Sequence, residues 1–252
     1  MGDLTTILEC TGSQSWTAFY ERGLIYYHDI SYRNINSALN DFKHAIEKNS
    51  LETGCIHYIG DCYSEFNELW EDALDYFTSS MRSISYNIKN KAIAKRPLAM
   101  TYFQRGRMYA LLGKLKLASA DFSAGLDLTP SSALGHLYMG SLYSMSGSLY
   151  DENLALINMN RALELDPFLF DTLVHRAKIL EGAAAIRDLR AALAIHPHVI
   201  SIRLQIAILY MRQFKDFRKG LLECKRILAV APDTNRALHL RARAFARNGK
   251  DQ

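Results

Sequence analysis

A pattern of small and aromatic residues returns about every 34 residues along this chain. In its clearest copy, Gly106 is followed three residues later by Tyr109, and Ala118 is followed four residues later by Phe122 and then by Pro130. Spacings of three and four residues place side chains on one helix face, so each block predicts a helix, and the proline predicts where the second helix ends. The copy therefore predicts two helices joined by a turn.

Five further copies and one half-copy keep the same phase. The residues at the equivalent positions are, in chain order, Gly23, Tyr26, Ala38 and Phe42; Gly60, Tyr63, Ala73 and Phe77; Gly140, Tyr143, Ala155 and Met159; Ala177, Leu180, Ala185 and Leu189; Ile208, Met211, Gly220 and Cys224; and Ala242 with Phe245. The pattern predicts six helix pairs over about residues 16–232 and a half-repeat or capping helix at 234–248. Because stacked pairs bury their core between neighbours, residues 1–252 are predicted to form one array.

The pattern resembles that of the tetratricopeptide repeat (TPR) family, W-x2-L-G-x2-Y…A-x3-F…P, over roughly residues 16–249. The segments 126–130 and 161–167 are similar to the family's typical repeat endings. The resemblance implies an all-α fold, a right-handed α-solenoid of helix–turn–helix repeats. It also implies a non-enzymatic scaffold or adaptor that binds a partner segment in its concave groove. An ordinary helical bundle with coincidental glycines is the alternative fold.

Glycines 23, 60, 106 and 140 lie within predicted first helices, where each costs about 1 kcal/mol relative to alanine. Close approach of the second helix would offset that cost. The alanines at 38, 73, 118, 155 and 185 are predicted to be the small residues that meet the glycines.

About eleven residues, 86–97, separate the second copy from the third and predict an elongated helix or an insertion. The simplest arrangement extends the preceding helix and ends it before Pro97, which then opens the next helix as a first-turn proline. The four basic residues in this segment could contact a partner, or the segment could be a solvated extension. Both interpretations remain open.

Composition predicts an ordinary folded chain in the cytoplasm, with a cilium-associated complex as an alternative setting. Apolar residues make up 49% and charged residues 22%, which excludes wholesale disorder. No apolar run is long enough to span a membrane, and no secretory signal opens the chain. Four cysteines without a CxxC pair suit reduced thiols. Residues 1–6 fit a loose myristoylation pattern, but Asp3 after Gly2 argues against acylation.

No motif predicts an enzyme, a cofactor or a metal site. The eight histidines are scattered, and the close pair His196 and His198 is separated by a proline in a predicted loop. The sequence has no glycine-rich phosphate loop, no G-x-S-x-G and no HExxH.

Charge is distributed unevenly. Residues 1–126 carry 13 basic and 14 acidic residues, a net charge of −1, whereas residues 127–252 carry 17 and 12, a net charge of +5. From Arg203 onward, 12 residues are basic and 4 are acidic. A basic end of this kind predicts attraction to an acidic partner that weakens as salt increases.

In the TPR family, the first helices of successive pairs line the concave groove. The resemblance implies that the following positions bind a peptide: Tyr20, Tyr27, Tyr58, Phe103, Arg107, Tyr138, Arg212, His239, Arg243 and Arg247. The groove is thus expected to be aromatic at its N-terminal end and cationic at its C-terminal end. The expected partner is a protein or peptide segment with apolar anchors and an acidic end. Any one tyrosine could instead fill space between repeats.

Three other functions are alternatives to partner binding in the groove. A structural subunit of a large assembly, for example a ciliary or trafficking complex, is the main alternative. A carboxylate-clamp co-chaperone is disfavoured, because the clamp positions hold Tyr20, Leu24, Tyr58, Met100 and Gln104 in place of lysine and asparagine. Weak nucleic-acid binding is also disfavoured, because no pair of base-reading residues recurs in each repeat.

Overall fold

The computed structural model describes residues 15–29, 32–49, 52–65, 69–87 and 91–248, and these residues form thirteen α-helices and no strand. The helices are α1 (Trp16–His28), α2 (Ile35–Lys48), α3 (Thr53–Ser64), α4 (Trp70–Asn87), α5 (Lys91–Leu111), α6 (Leu115–Leu128), α7 (Ala133–Ser144), α8 (Glu152–Leu165), α9 (Phe170–Ile179), α10 (Gly182–Ile195), α11 (Ile200–Arg212), α12 (Phe217–Val230) and α13 (Asn235–Asn248). The predicted all-α fold is confirmed. The acylation pattern at Gly2 lies outside the described residues.

The chain divides into two compact units, residues 1–150 and residues 151–252. The first unit contains α1–α7 and the second contains α8–α13. In a stack where each helix packs mainly against its neighbours, no single centre holds all helices together, so division into units is compatible with a repeat fold. The arrangement of residues 1–252 as one array remains a prediction.

Short polar residues explain where several helices begin. The side chains of Asn34, Ser132, Asp151 and Asp216 each accept a hydrogen bond, at 2.9–3.1 Å, from the backbone N–H three residues further on. An N-cap of this type satisfies one of the unpaired donors of the first turn and stabilises the helix by about 1 kcal/mol.

Two glycines of the first unit lie directly under aromatic rings. A Cβ added at Gly23 would lie 2.7 Å from the Phe42 ring, and one added at Gly106 would lie 2.5 Å from the Phe122 ring. The side chains nearest to these glycines are thus phenylalanine rings, whereas the alanines of the second helix were predicted to meet them. Those alanines are buried, but the ring four residues after each of them fills the space above the glycine.

Gly60 has a different neighbour. A Cβ at this position would collide with the side chain of Gln104, which belongs to α5 in the next helix pair. Here the missing side chain makes room for a contact between pairs and not within one. The contact also places Gln104 within hydrogen-bonding distance of His57 and Arg107.

Three helix pairs share an ion pair that the repeat pattern did not predict. In each, an arginine directly before the small residue of the first helix binds an aspartate directly before the large apolar residue of the second: Arg22 with Asp41, Arg105 with Asp121, and Arg176 with Asp188. Both hydrogen bonds of every pair measure 2.6–2.7 Å. All three carboxylates are buried, so the arginines compensate for their removal from water.

The connection after α4 differs from its prediction. Helix α5 begins at Lys91, so Pro97 lies inside that helix and does not open it. Pro97 has no backbone N–H that could donate to the carbonyl of Ile93. The part of α5 that precedes Pro97 is nevertheless held against the core, because Ala94, Pro97 and Ala99 are buried. Burial of these side chains explains why the proline is tolerated there.

The second unit has its own core, formed by α9, α10 and α11. Its buried members are Leu173, Ala177, Ala185, Ile186, Leu189, Ala192, Ile202, Ile206 and Tyr210. Beside this core, a Cβ at Gly220 of α12 would lie 2.5 Å from Met211 of α11, so the sixth pair also uses a small residue for close approach. Helix α13 completes the unit and packs one face, which includes Ala237 and Ala244, against α11 and α12.

Candidate partner-binding surface

Four tyrosines from the first helices of the first unit form a partly exposed surface. This tyrosine surface consists of Tyr20 and Tyr27 on α1, Tyr58 on α3 and Tyr138 on α7, with Arg107 of α5 among them. All five side chains are half-buried, so each combines fixed packing with an accessible edge. First helices contribute every member, as expected from the repeat pattern.

Tyr58 is the centre of the aromatic part. Its ring centroid lies 6.2 Å from that of Tyr20 and 5.5 Å from that of Tyr27. It also stacks on the buried Phe42 ring at 5.2 Å, and its hydroxyl is hydrogen-bonded to His28 Nε2 at 3.3 Å. These contacts hold the rings in one arrangement before any partner binds.

Arg107 is held by a closed polar network. Its Nη1 donates to Asp61 Oδ1 at 2.6 Å and to Gln104 Oε1 at 2.7 Å. Gln104 Nε2 donates to His57 Nδ1 at 3.0 Å, which leaves the other ring nitrogen of His57 to donate to Asp61 Oδ2 at 3.3 Å. This order of donors and acceptors is satisfied by neutral His57. The network therefore fixes Arg107 and neutralises its charge.

Arg107 connects the three tyrosines around Tyr58 with Tyr138. Its guanidinium carbon lies 5.3 Å from the centroid of the Tyr138 ring, within the range of a cation–π contact. The Tyr138 ring in turn stacks on Phe122 at 5.8 Å. Burial lowers the pKa of Arg107, but Tyr138, Asp61 and Tyr27 raise it more, so the guanidinium stays charged.

The tyrosine hydroxyls are protonated at neutral pH. Burial, reinforced by Asp61, raises the pKa of Tyr27 to about 12. Burial also raises the pKa of Tyr20 and of Tyr58, with a further contribution at Tyr20 from Tyr58. The surface thus offers apolar rings with hydroxyl donors, and not phenolate anions.

Phe103 does not belong to this surface, contrary to the sequence-based expectation. Only 1% of the residue is exposed. Its ring occupies space left by two glycines, because a Cβ at Gly125 would lie 2.4 Å away and one at Gly135 would lie 2.5 Å away. The centroid of the Phe103 ring lies 6.2 Å from that of Tyr138. Phe103 therefore supports the surface from the core.

The basic residues predicted for the groove lie in the second unit. Arg212 ends α11, and His239, Arg243 and Arg247 lie on α13; all four side chains are exposed. Among the described residues, no ion pair engages these arginines. These four residues lie in the second unit, whereas the tyrosine surface lies in the first.

The repeat pattern did not predict a role for Gln104 at this surface, because Gln104 was compared only with the residues of a carboxylate clamp. The sequence nevertheless contains an indication of this role. His57, Gly60 and Asp61 share a face of α3 that a neighbouring first helix must cover. A polar residue at position 104 is the natural partner for that face.

Solved structures provide the comparison with known proteins. The human IFIT1 dimer with m7Gppp-AAAA matches 99% of this chain and 58% of its own, with a TM-score of 0.67 and 11% identity. A chain of the APC/C hetero-tetramer Cut9–Hcn1 matches 96% of this chain and 45% of its own, with a TM-score of 0.68 and 17% identity. YrrB, a TPR protein with an unusual peptide-binding site, matches 80% and 97%, with a TM-score of 0.51 and 20% identity.

The fold is that of TPR proteins. The resemblance inferred from the repeat pattern is thus confirmed at the level of the fold. The chain spans less than two thirds of the IFIT1 and Cut9–Hcn1 chains that it matches. No protein-family model and no curated protein sequence matches it.

The described residues also lack two features that would indicate other functions. No helix among them combines the length and the apolar character needed to cross a membrane. Within the same ranges, no three His, Cys, Asp or Glu side chains are grouped so that they could hold a metal ion.

Proposed function

We propose that this chain is a non-enzymatic protein-interaction scaffold of the cytoplasm, which binds a segment of a partner protein at the tyrosine surface. The proposal rests chiefly on one observation: Tyr20, Tyr27, Tyr58 and Tyr138 are partly exposed and already held in place by ring contacts and by the Arg107 network. Tyrosine loses little side-chain freedom on binding, and fixed rings lose even less, so such a surface favours tight contact.

The chemistry of the surface indicates what kind of segment binds. Since Asp61 neutralises Arg107, the members of the surface offer apolar rings and hydroxyl groups, and not a strong field of one sign. Apolar anchors with hydrogen-bonding backbone groups suit these rings best. The acidic end of the expected partner remains a separate part of the proposal, supported by the exposed Arg243 and Arg247 in the second unit.

The similar structures support a binding role of this kind and suggest what else to test. YrrB is described as having a peptide-binding site, and Cut9–Hcn1 is a hetero-tetramer. The IFIT1 dimer was solved with a capped oligoadenylate. Because aromatic rings also stack on nucleobases, RNA is the alternative ligand against which the proposal must be tested.

A selection experiment tests the proposal. Binders are selected from a displayed library of peptides on the purified full chain, and the enriched peptides are synthesised and titrated by fluorescence anisotropy. The expected result is enrichment of peptides with spaced apolar residues. A Tyr58→Ala variant with an unchanged circular dichroism spectrum should bind them at least about tenfold more weakly, since a hot-spot tyrosine is worth more than 1 kcal/mol.

The matched control is Tyr32→Ala, which removes an exposed tyrosine outside the surface. The proposal is wrong if Tyr32→Ala and Tyr58→Ala weaken peptide binding equally, or if no peptide is enriched. It is also wrong if capped or uncapped oligoadenylate binds the chain more tightly than every selected peptide and competes with them in a Tyr58-dependent manner.

A further inference from the structure

Helix α13 has two apolar faces, and only one of them is covered by the described residues. The covered face includes Leu240 and packs on α11 and α12. The other consists of Leu238, Ala242 and Phe245 and, with Leu221 and Leu222 of α12, lines an open groove of about 780 Å³. Phe245 is 60% exposed, which is unusual for a large ring beside an apolar groove.

The repeat register identifies what the uncovered face is built to contact. Ala242 holds the position of Gly23 in the first repeat, Gly106 in the third and Ala177 in the fifth. At Gly23 and Gly106, that position lies against the ring of the second helix of the same pair. Ala177 is only 6% exposed, whereas Ala242 is exposed. The groove is therefore the place that a second helix would occupy in a seventh pair.

Arg241 strengthens this assignment independently. It directly precedes Ala242, as Arg22, Arg105 and Arg176 directly precede the small residue of their own first helices. Each of those three arginines binds a buried aspartate of the second helix. No carboxylate among the described residues pairs with Arg241, which lines the groove.

The three second helices that carry these aspartates share a short pattern, Ala-x2-Asp followed by Phe or Leu. It reads Ala38-Leu-Asn-Asp41-Phe42 in α2, Ala118-Ser-Ala-Asp121-Phe122 in α6 and Ala185-Ile-Arg-Asp188-Leu189 in α10. The aspartate reaches the arginine while the following large side chain lies beside the small residue. Arg241 and Ala242 present the same two features.

We propose that the groove between α12 and α13 binds an amphipathic helix of another protein that carries this pattern and packs against α13 as second helices pack against first helices elsewhere in the chain. The aspartate of the incoming helix binds Arg241, and its phenylalanine or leucine lies over Ala242 and beside Phe245. Arg218 and Lys225, which flank the groove on α12, favour further acidic residues on the helix. This site is distinct from the tyrosine surface and does not depend on it.

The chain supplies its own probe for the test. A fluorescent peptide with the sequence of residues 34–49 contains α2, its Asn34 cap and the Ala38…Asp41-Phe42 pattern. It is titrated into the full chain by anisotropy. The expected result is saturable binding that weakens at least about tenfold in the Arg241→Asp variant, a loss of the size seen when one partner of a buried ion pair is removed.

Charge reversal distinguishes a specific pair from general attraction. A peptide with Asp41→Arg should bind the unmodified chain poorly and the Arg241→Asp variant better, so that the swapped pair recovers affinity. The matched control is Arg236→Asp, which reverses an exposed arginine on the same helix outside the groove. Circular dichroism of each variant establishes that α13 is retained.

Three outcomes would overturn the proposal. The first is the absence of saturable binding. The second is equal loss in Arg241→Asp and Arg236→Asp, or no recovery in the swapped pair, because the basic end would then attract the peptide without a defined contact. The third is a concentration-dependent dimer of the chain alone that Arg241→Asp dissociates, because a second copy would then occupy the groove.

Discussion

Replacing Asp121 with alanine measures what the repeated ion pair contributes. Arg105 donates two hydrogen bonds of 2.7 Å to this carboxylate, and the side chains of Arg105 and Asp121 are only 17% and 9% exposed. The Asp121→Ala variant leaves a charged guanidinium largely cut off from water between Tyr102 and Tyr109. Breaking a buried pair costs about 3–5 kcal/mol, and the remaining exposure of Arg105 places the expected loss near 3 kcal/mol.

In the unmodified chain the hydrogen bond to Asp121 raises the pKa of Arg105 despite the opposing effect of burial. The Asp121→Ala variant loses that hydrogen bond, but Arg105 still cannot escape the penalty by losing its proton, because an arginine guanidinium is not deprotonated in proteins. A double variant, Arg105→Met with Asp121→Leu, removes both charges and should recover a large part of the lost stability. The comparison separates the cost of an unpaired charge from the net contribution of the pair, which is smaller.

Urea denaturation followed by tryptophan fluorescence suits this experiment, because both tryptophans, Trp16 and Trp70, lie in the same unit as Asp121. The control is Glu65→Ala, which breaks the exposed Arg33–Glu65 pair of that unit and should cost less than about 1 kcal/mol. Equal losses for Asp121→Ala and Glu65→Ala would refute the reasoning, as would a double variant less stable than Asp121→Ala.

Three further predictions concern packing and protonation. Gly106→Ala should lower the free energy of unfolding by about 1–3 kcal/mol in the same urea assay, because its Cβ would lie 2.5 Å from the Phe122 ring; unchanged stability would show that the ring can move aside. Burial raises the pKa of Cys55 and Cys62 to about 12, so at pH 8 about one thiol in 10⁴ is ionised, and a thiol reagent should label them only on unfolding; rapid labelling of the folded chain would contradict this. Because these pKa values are raised, the folded chain holds the thiol protons more tightly than the unfolded chain does. Their contribution to the free energy of unfolding is therefore fully present below about pH 8.5 and falls by up to about 1.4 kcal/mol per pH unit and thiol toward pH 12. Thermal melts that do not change between these pH values would contradict this prediction.

The fold was largely predictable because the repeat pattern is redundant. Gly106, Phe122 and their equivalents recur in fixed phase, so one weak copy does not change the conclusion. The Arg–Asp pairs were missed for a physical reason. Their members are 19, 16 and 12 residues apart, because the turns differ in length, and a variable separation hides a constant contact.

The candidate surface was only partly predictable. The register identified which helix faces lie together, and it correctly assigned Tyr20, Tyr58 and Tyr138 to first helices. It could not show that Gly125 and Gly135 leave a space that draws Phe103 into the core, since that depends on two helices at once. The helix start ahead of Pro97 was missed because burial of Ala94 outweighs a local preference of the backbone.

The contrast between Gly106 and Gly60 bears on how the chain acquires its structure. The contact of Gly106 with Phe122 and the ion pair of Arg105 with Asp121 each close within one helix pair, over a separation of 16 residues. Gly60, in contrast, meets Gln104 of the following pair, 44 residues further on. Short loops close at a smaller entropic cost than long ones. The pairs α1–α2, α5–α6 and α9–α10, each with its internal Arg–Asp bond, are therefore expected to order first. In the first unit, α1–α2 and α5–α6 then serve as templates on which the pair α3–α4 settles.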